Sequence, residues 1–182
     1  MSVPLFEKVA FIGLGLIGSS LARVMIAEGL TQNIVASTRS EKTLQDAKAL
    51  GLIQQGYSDP VQAVQGADLV VLALPVRATQ KVLETIKPYL QEHTIITDVG
   101  STKGNVVDAA KAVYGEALPA GFVPGHPIAG AEHTGVYAGK VDLFANHKVI
   151  LTPLPTSADW AVEKLIQLWP VSYTHLRAHE TD

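Results

Sequence analysis

"VAFIGLGLIGSSLA" (residues 9–22) decides the fold of this chain. Its first five residues are an unbroken apolar run, the pattern of a parallel strand covered on both faces. After "GLGLIG" (13–18), helical spacing runs from Leu16 to Glu28 and stops at Gly29, a natural C-terminal cap. Strand, G-x-G-x-x-G turn and helix in that order form the setting a dinucleotide fingerprint needs. Gly13 permits the tight turn and Gly15 lets the backbone approach a pyrophosphate. Gly18 lets the helix pack closely on the sheet, with the helix N-terminus facing the phosphates. A glycine-rich turn serving packing alone is the competing reading.

Outward from this stretch, strand and helix patterns alternate. "NIVAS" (33–37) reads as a strand, and Glu41 to Leu50 as a helix closed by Gly51. "DLVVLALP" (68–75) is the clearest buried strand; Arg77 to Tyr89 then reads as a helix that Pro88 must end or kink. "TIITDVG" (94–100) predicts a strand, Lys103 to Tyr114 a helix, "GFVPG" (121–125) and "KVILT" (148–152) strands, and Ser157 to Trp169 an amphipathic helix. Repeated β-then-α order predicts an α/β fold of the Rossmann type, a doubly wound and mostly parallel sheet.

Composition agrees. At 182 residues, one domain with a sizeable core is expected. Apolar residues at 47%, charged residues at 17% and a net charge of −3 suit a soluble globular domain. They give no electrostatic reason to expect nucleic acid or an anionic membrane as partner. Cysteine is absent, which excludes disulfides and thiolate chemistry and fits a cytoplasmic protein. The apolar run 9–22 lacks the basic leader of a signal peptide and is broken by glycine.

A doubly wound sheet binds ligands at the carboxyl ends of its strands. The cofactor contacts expected there are Gly13, Gly15, Leu16, Ile17, Gly18, Ser37, Thr38, Arg39, Leu74 and Pro75. The fingerprint calls for an acid about 20 residues on, to hold the adenosine ribose. This chain has Thr38 in "ASTRS" (36–40), with no carboxylate to repel a 2′-phosphate and four residues, Ser37 to Ser40, able to donate to one. The balance leans to NADP over NAD, although Arg39 reads equally well as a solvated helix-entry residue.

The strand ends "DVGSTKG" (98–104) and "PGHPIAG" (124–130) bring Ser101 and His126 to the same crevice, beside the nicotinamide end. Ser101 also suits a helix N-cap. His126, placed in a proline- and glycine-rich loop, reads as functional rather than structural. Glu132 and His133, in "GHPIAGAEHTG" (125–135), are candidate substrate contacts. No metal is expected, because the spacing matches no zinc motif and Glu132 is the nearby acid.

Together, "VAFIGLGLIGSSLA", "ADLVVLALPV", "TDVGSTKG" and "GHPIAGAEHTG" resemble the nucleotide-binding half of the prephenate and arogenate (cyclohexadienyl) dehydrogenases of tyrosine biosynthesis, from about Lys8 to Trp169. The resemblance implies oxidative decarboxylation of a small ring substrate with NAD(P). It matches His126 to the histidine on the C4 hydroxyl and Ser101 to its partner near the nicotinamide. It also implies a homodimer made through an all-helical second domain that this chain lacks, so that the chain by itself binds dinucleotide but turns over poorly. Where the family usually carries a hydroxyl after "HPIAG", this chain has Ala131, which leaves prephenate versus arogenate open. Residues 1–169 are expected to form the domain, and "PVSYTHLRAHETD" (170–182) reads as a non-native tail, such as vector or adapter read-through, with a genuine short tail as the alternative. A dinucleotide-binding module without catalysis is the alternative of a different class. A β-hydroxyacid or imine reductase sharing the first domain leaves "GHPIAGAEHTG" unaccounted for.

Overall fold

Side chains alternate across a strand, so a strand buried on both faces must feed two cores. The first strand does so. In the computed structural model, which describes residues 4–99, 103–128 and 148–168, β1 (Val9–Ile12) sends Val9 and Phe11 into one apolar cluster and Ala10 and Ile12 into the other. β4 (Leu69–Leu72) divides in the same way, with Leu69 and Val71 on the first side and Val70 and Leu72 on the second. The first core is closed by α1 (Gly15–Ala27), α2 (Glu41–Ala49) and α6 (Asp159–Leu168), through Leu21, Met25, Leu44 and Leu165. The second is closed by α3 (Pro60–Val64), α4 (Val76–Ile86) and α5 (Lys103–Tyr114), through Val64, Leu83, Ile86 and Ala110. Each large side chain so buried contributes about 1.5–3 kcal/mol. A sheet with helices on both faces is the doubly wound α/β arrangement that the β-then-α order predicts.

β2 (Ile34–Ser37), β3 (Gln55–Tyr57) and β5 (Ile95–Asp98) complete a five-stranded sheet of order β3-β2-β1-β4-β5, parallel at every pairing. The order reverses between β1 and β4, which both leave the sheet centre for opposite sides. Pro88 acts as its backbone requires: α4 stops at Ile86 and one 3₁₀ turn, Lys87–Tyr89, replaces its expected continuation. Among the described residues, no helix is long and apolar enough to cross a membrane.

Two expectations are corrected. Residues 121–125 do not make a full strand: Phe122 forms a single parallel bridge to Ile96, and the strand proper, β6, runs Gly125–Ile128. β6 pairs antiparallel with β7 (Lys148–Leu151), His126 lying opposite Ile150, so His126 stands in a short strand and not in a loop. Pro127 lies opposite Val149 in this two-stranded ladder. β3 and α3 are additions that apolar periodicity does not predict. They are short, at three and five residues.

Candidate active site

The five parallel strands end in one row. Tyr57, Ser37, Ile12, Leu72 and Asp98 are register partners in succession across β3, β2, β1, β4 and β5. The chain beyond each is tied to its neighbour: Gly13 N–H donates to Ser37 O (2.8 Å), Ala73 N–H to Ile12 O (2.9 Å) and Val99 N–H to Leu72 O (3.2 Å). Adjacent strands lie about 4.8 Å apart, so Ser37 and Asp98 stand roughly 14 Å apart along this edge. Ser37 lies in this row, and Gly13 and the Leu74–Pro75 segment follow it from β1 and β4.

The glycines of the first turn each meet a different constraint. Gly13 has φ +86°, and a Cβ there would sit 2.4 Å from the Ala73 carbonyl oxygen at the end of β4. A Cβ on Gly18 would lie 3.3 Å from Ala73 Cβ and 3.7 Å from Phe11 Cδ1, so α1 rests on the sheet here at close range. Gly15 has φ +62° yet nothing within 4 Å of a Cβ, so its backbone borders open space. Gly13 and Gly18 face protein, and Gly15 faces open space.

Helix termini in the same region differ in how their amides are satisfied. Ser40 Oγ accepts from Thr43 N–H (3.2 Å) at the start of α2, and Asp59 Oδ1 accepts from Val61 N–H (2.9 Å) at the start of α3. α1 starts without a side-chain cap and without an acid in its first turn. Leu16 and Ile17 occupy that turn, and the Ile17 side chain packs partly against the first core. Uncapped amides at the positive end of a 13-residue helix, beside an open glycine, suit an anion such as a pyrophosphate. The residues present therefore fit a dinucleotide. Leu74 and Pro75 follow Ala73 at the end of β4, and Leu74 Cδ2 comes within 3.1 Å of the position a Gly13 Cβ would take.

At the end of β2 the four expected donors separate. The Ser37 side chain is buried. Thr38 Oγ1 donates to Ser40 O (3.0 Å) and accepts from Ser40 N–H (3.1 Å), and Ser40 Oγ is occupied as the α2 cap while keeping its own proton to donate. Arg39 is exposed. Of the candidate 2′-position donors, Arg39 and Ser40 are the ones the fold leaves for a ligand.

At the other end of the row, Asp98 is buried and its Oδ1 accepts from Gly125 N–H at 3.2 Å, which brings β6 and His126 to the end of β5. Ser101, Glu132 and His133 lie outside the described residues, as does the expected tail at 170–182. Among the described residues, no group of three or more histidines, aspartates or glutamates is placed to hold a metal. Motif reasoning does not single out Asp98; the signal available is a carboxylate ending a strand whose four residues are all buried.

A family model described as the prephenate dehydrogenase nucleotide-binding domain matches residues 21–176. The chain belongs to this family. It is 39% identical over 168 residues to the cyclohexadienyl dehydrogenase of Zymomonas mobilis, covering 92% of this chain and 56% of that protein. It is 37% identical over 170 residues to the prephenate dehydrogenase of Bacillus subtilis, covering 93% of this chain and 45% of that one. The chain thus spans about half the length of these curated relatives. Its backbone superposes with a TM-score of 0.84 and 28% identity on a prephenate dehydrogenase from A. aeolicus, solved in complex with hydroxyphenyl propionate and NAD+, covering 97% of this chain and 60% of that one. As a member of this family, the chain carries a nucleotide-binding domain of the kind that holds nicotinamide dinucleotide.

Proposed function

We propose that this chain is the dinucleotide-binding part, residues 1–169, of a cytoplasmic enzyme of tyrosine biosynthesis that oxidatively decarboxylates prephenate or arogenate. The observation that carries the reading is the row of strand ends: the open Gly15 turn and uncapped α1 stand at its centre, and the segments bearing Ser101 and His126 leave from its β5 end. Gly13, Gly15, Leu16, Ile17 and Gly18 would hold the pyrophosphate, with Leu74 and Pro75 along the crevice. When bound, the oxidised nicotinamide supplies a hydride acceptor. The chain's own task is to take up the C4 hydroxyl proton as the C4–H and C1–carboxylate bonds break and the ring becomes aromatic. His126 as neutral imidazole is the base, Ser101 orients it or the hydroxyl, and Glu132 and His133 contact the substrate. Imidazole suits this role because its ordinary pKa lies near working pH. Aromatisation makes the step strongly downhill, so placement is the protein's main contribution. A spectrophotometric assay of prephenate and arogenate, each with NAD and NADP, tests the reading. Absence of dinucleotide binding would overturn it, and binding without turnover after extension to the relatives' length would favour a non-catalytic module.

The cofactor preference leans to NADP, supported by the absence of an acid at position 38 and by exposed Arg39. Thr38→Asp keeps an acceptor for the Ser40 amide and places a carboxylate beside the ribose. It is expected to move the NADP/NAD affinity ratio toward NAD by roughly tenfold or more, the worth of a repulsion near 1.4 kcal/mol. Arg39→Ala should weaken NADP and leave NAD nearly unchanged. Titration calorimetry of both variants checks this, and unchanged ratios would show that residues 37–40 do not read the 2′ position.

A further inference from the structure

The chain departs from β5 at an unusual joint. Beside β5, Ile96 N–H donates to Gly121 O (2.9 Å) and Val123 N–H to Ile96 O (2.9 Å), the start of a parallel ladder. A continuing ladder would bring the Gly125 amide to the Asp98 carbonyl. Instead Gly125 N–H donates to the Asp98 carboxylate, Oδ1 at 3.2 Å, just where β6 turns away to pair with β7. A side chain thus replaces the backbone acceptor and spans the gap that opens as the strand peels off. Gly125 permits the approach: a Cβ there would come within 3.2 Å of both Thr97 Oγ1 and Leu151 Cδ2. Asp98 itself is 2% exposed, at the end of the strand sequence IITD. Burying a carboxylate is costly unless hydrogen bonds satisfy it, so packing alone would favour an apolar residue at this position.

We propose that Asp98 is a positioning residue, whose buried carboxylate fixes the strand carrying His126 against the end of β5 that leads to Ser101. The proposal rests on the reading of those two residues as the reacting pair. Asp98 is three positions before Ser101 along the chain, and through Gly125 it is hydrogen-bonded to the residue preceding His126. One side chain therefore couples both arms of the site, which are otherwise 25 residues apart in sequence. It does not touch the adenosine end of the row, about 14 Å away across three strand spacings.

The test compares Asp98→Ala with Asp98→Asn in the chain extended to the length of its relatives. Alanine removes the acceptor and is expected to lower kcat on the order of 10²-fold, the scale of a misplacement of about 1 Å, with the dinucleotide KM roughly unchanged. Asparagine keeps an oxygen acceptor of the same reach and should restore most of kcat. Should the alanine variant not fold, Asp98→Ser, too short to reach Gly125, takes its place with the same expected loss. Retained kcat in the alanine or serine variant, or an asparagine variant as slow as either, would overturn the proposal. If the wild type turns over neither ring substrate, the functional reading fails and a second readout decides the positioning. In the 182-residue chain, Asp98→Ala should lose hydrogen-exchange protection at the Gly125 amide and shift the His126 imidazole resonances, while Asp98→Asn keeps both. Both signals unchanged in the alanine variant would sink the positioning claim itself.

Discussion

Replacing His126 with Asn is expected to lower turnover on the order of 10²–10⁴-fold, the usual loss when a positioned general base is removed. Asparagine keeps comparable size and some hydrogen bonding but takes up no proton. The kinetics belong in a chain extended to the length of its relatives. Dinucleotide affinity should barely move, because the Gly15 turn and the α1 amides lie two strands away from β5. The wild-type rate should fall as pH drops through the imidazole titration, since the protonated ring cannot act as base, and the variant should lose that limb. A structural histidine predicts the reverse, lost folding stability with kinetics per folded molecule intact. A well-folded Asn variant with near wild-type kcat would decide for the structural role.

Gly13→Ala is expected to cost fold stability as well as binding. At φ +86° an L side chain is strained by roughly 1–2 kcal/mol. The new Cβ would also lie 2.4 Å from the Ala73 carbonyl oxygen, and that atom is backbone at the end of β4, unable to swing aside. Overpacking of this kind adds about 1–3 kcal/mol, so a total of roughly 2–5 kcal/mol is expected. Gly15→Ala is the control: the strain at φ +62° remains but nothing obstructs the Cβ, so stability should fall by only about 1 kcal/mol while dinucleotide affinity drops. Urea midpoints at constant m-value, with affinities from calorimetry, separate the two. Equal stability losses in both variants would show that the Ala73 contact is not decisive.

Motif and period reached different depths in this chain. "VAFIG" and the "LVVLALP" that follows Asp68 are unbroken apolar runs, and β1 and β4 bury all four of their residues because each feeds two cores. Of the helices that close those cores, all but α3 are readable from period and caps, down to the stop before Pro88. β3 was not readable: Gln55–Tyr57 is three residues on an edge, partly exposed, with no apolar run to mark it. α3 is also too short for a period, yet Asp59 followed by Pro60 is an N-cap and first-turn signature that capping rules do register. At the site, the glycine spacing assigns Gly15 to the ligand side and Gly18 to packing, but does not reveal that a Cβ on Gly13 would meet the Ala73 carbonyl oxygen at the end of β4. The sequence reads all four residues of "STRS" as able to donate, with Arg39 equally a solvated helix-entry residue. Burial of Ser37 and the local bonds of Thr38 and Ser40 make them unequal.

What the sequence determined by itself is what depends on neighbours along the chain: the β-then-α alternation, the strand–turn–helix setting of Gly13, Gly15 and Gly18, and the missing acid at position 38. These follow from side-chain period and local backbone preference, both of which act over a few residues. Tertiary structure alone decided which strand ends share a row, that His126 stands on a strand leaving the sheet, and that Asp98 holds that strand 27 residues away in sequence. Those contacts depend on strand order and register, which are selected by the packing of two cores together, and no local pattern encodes a partner that distant.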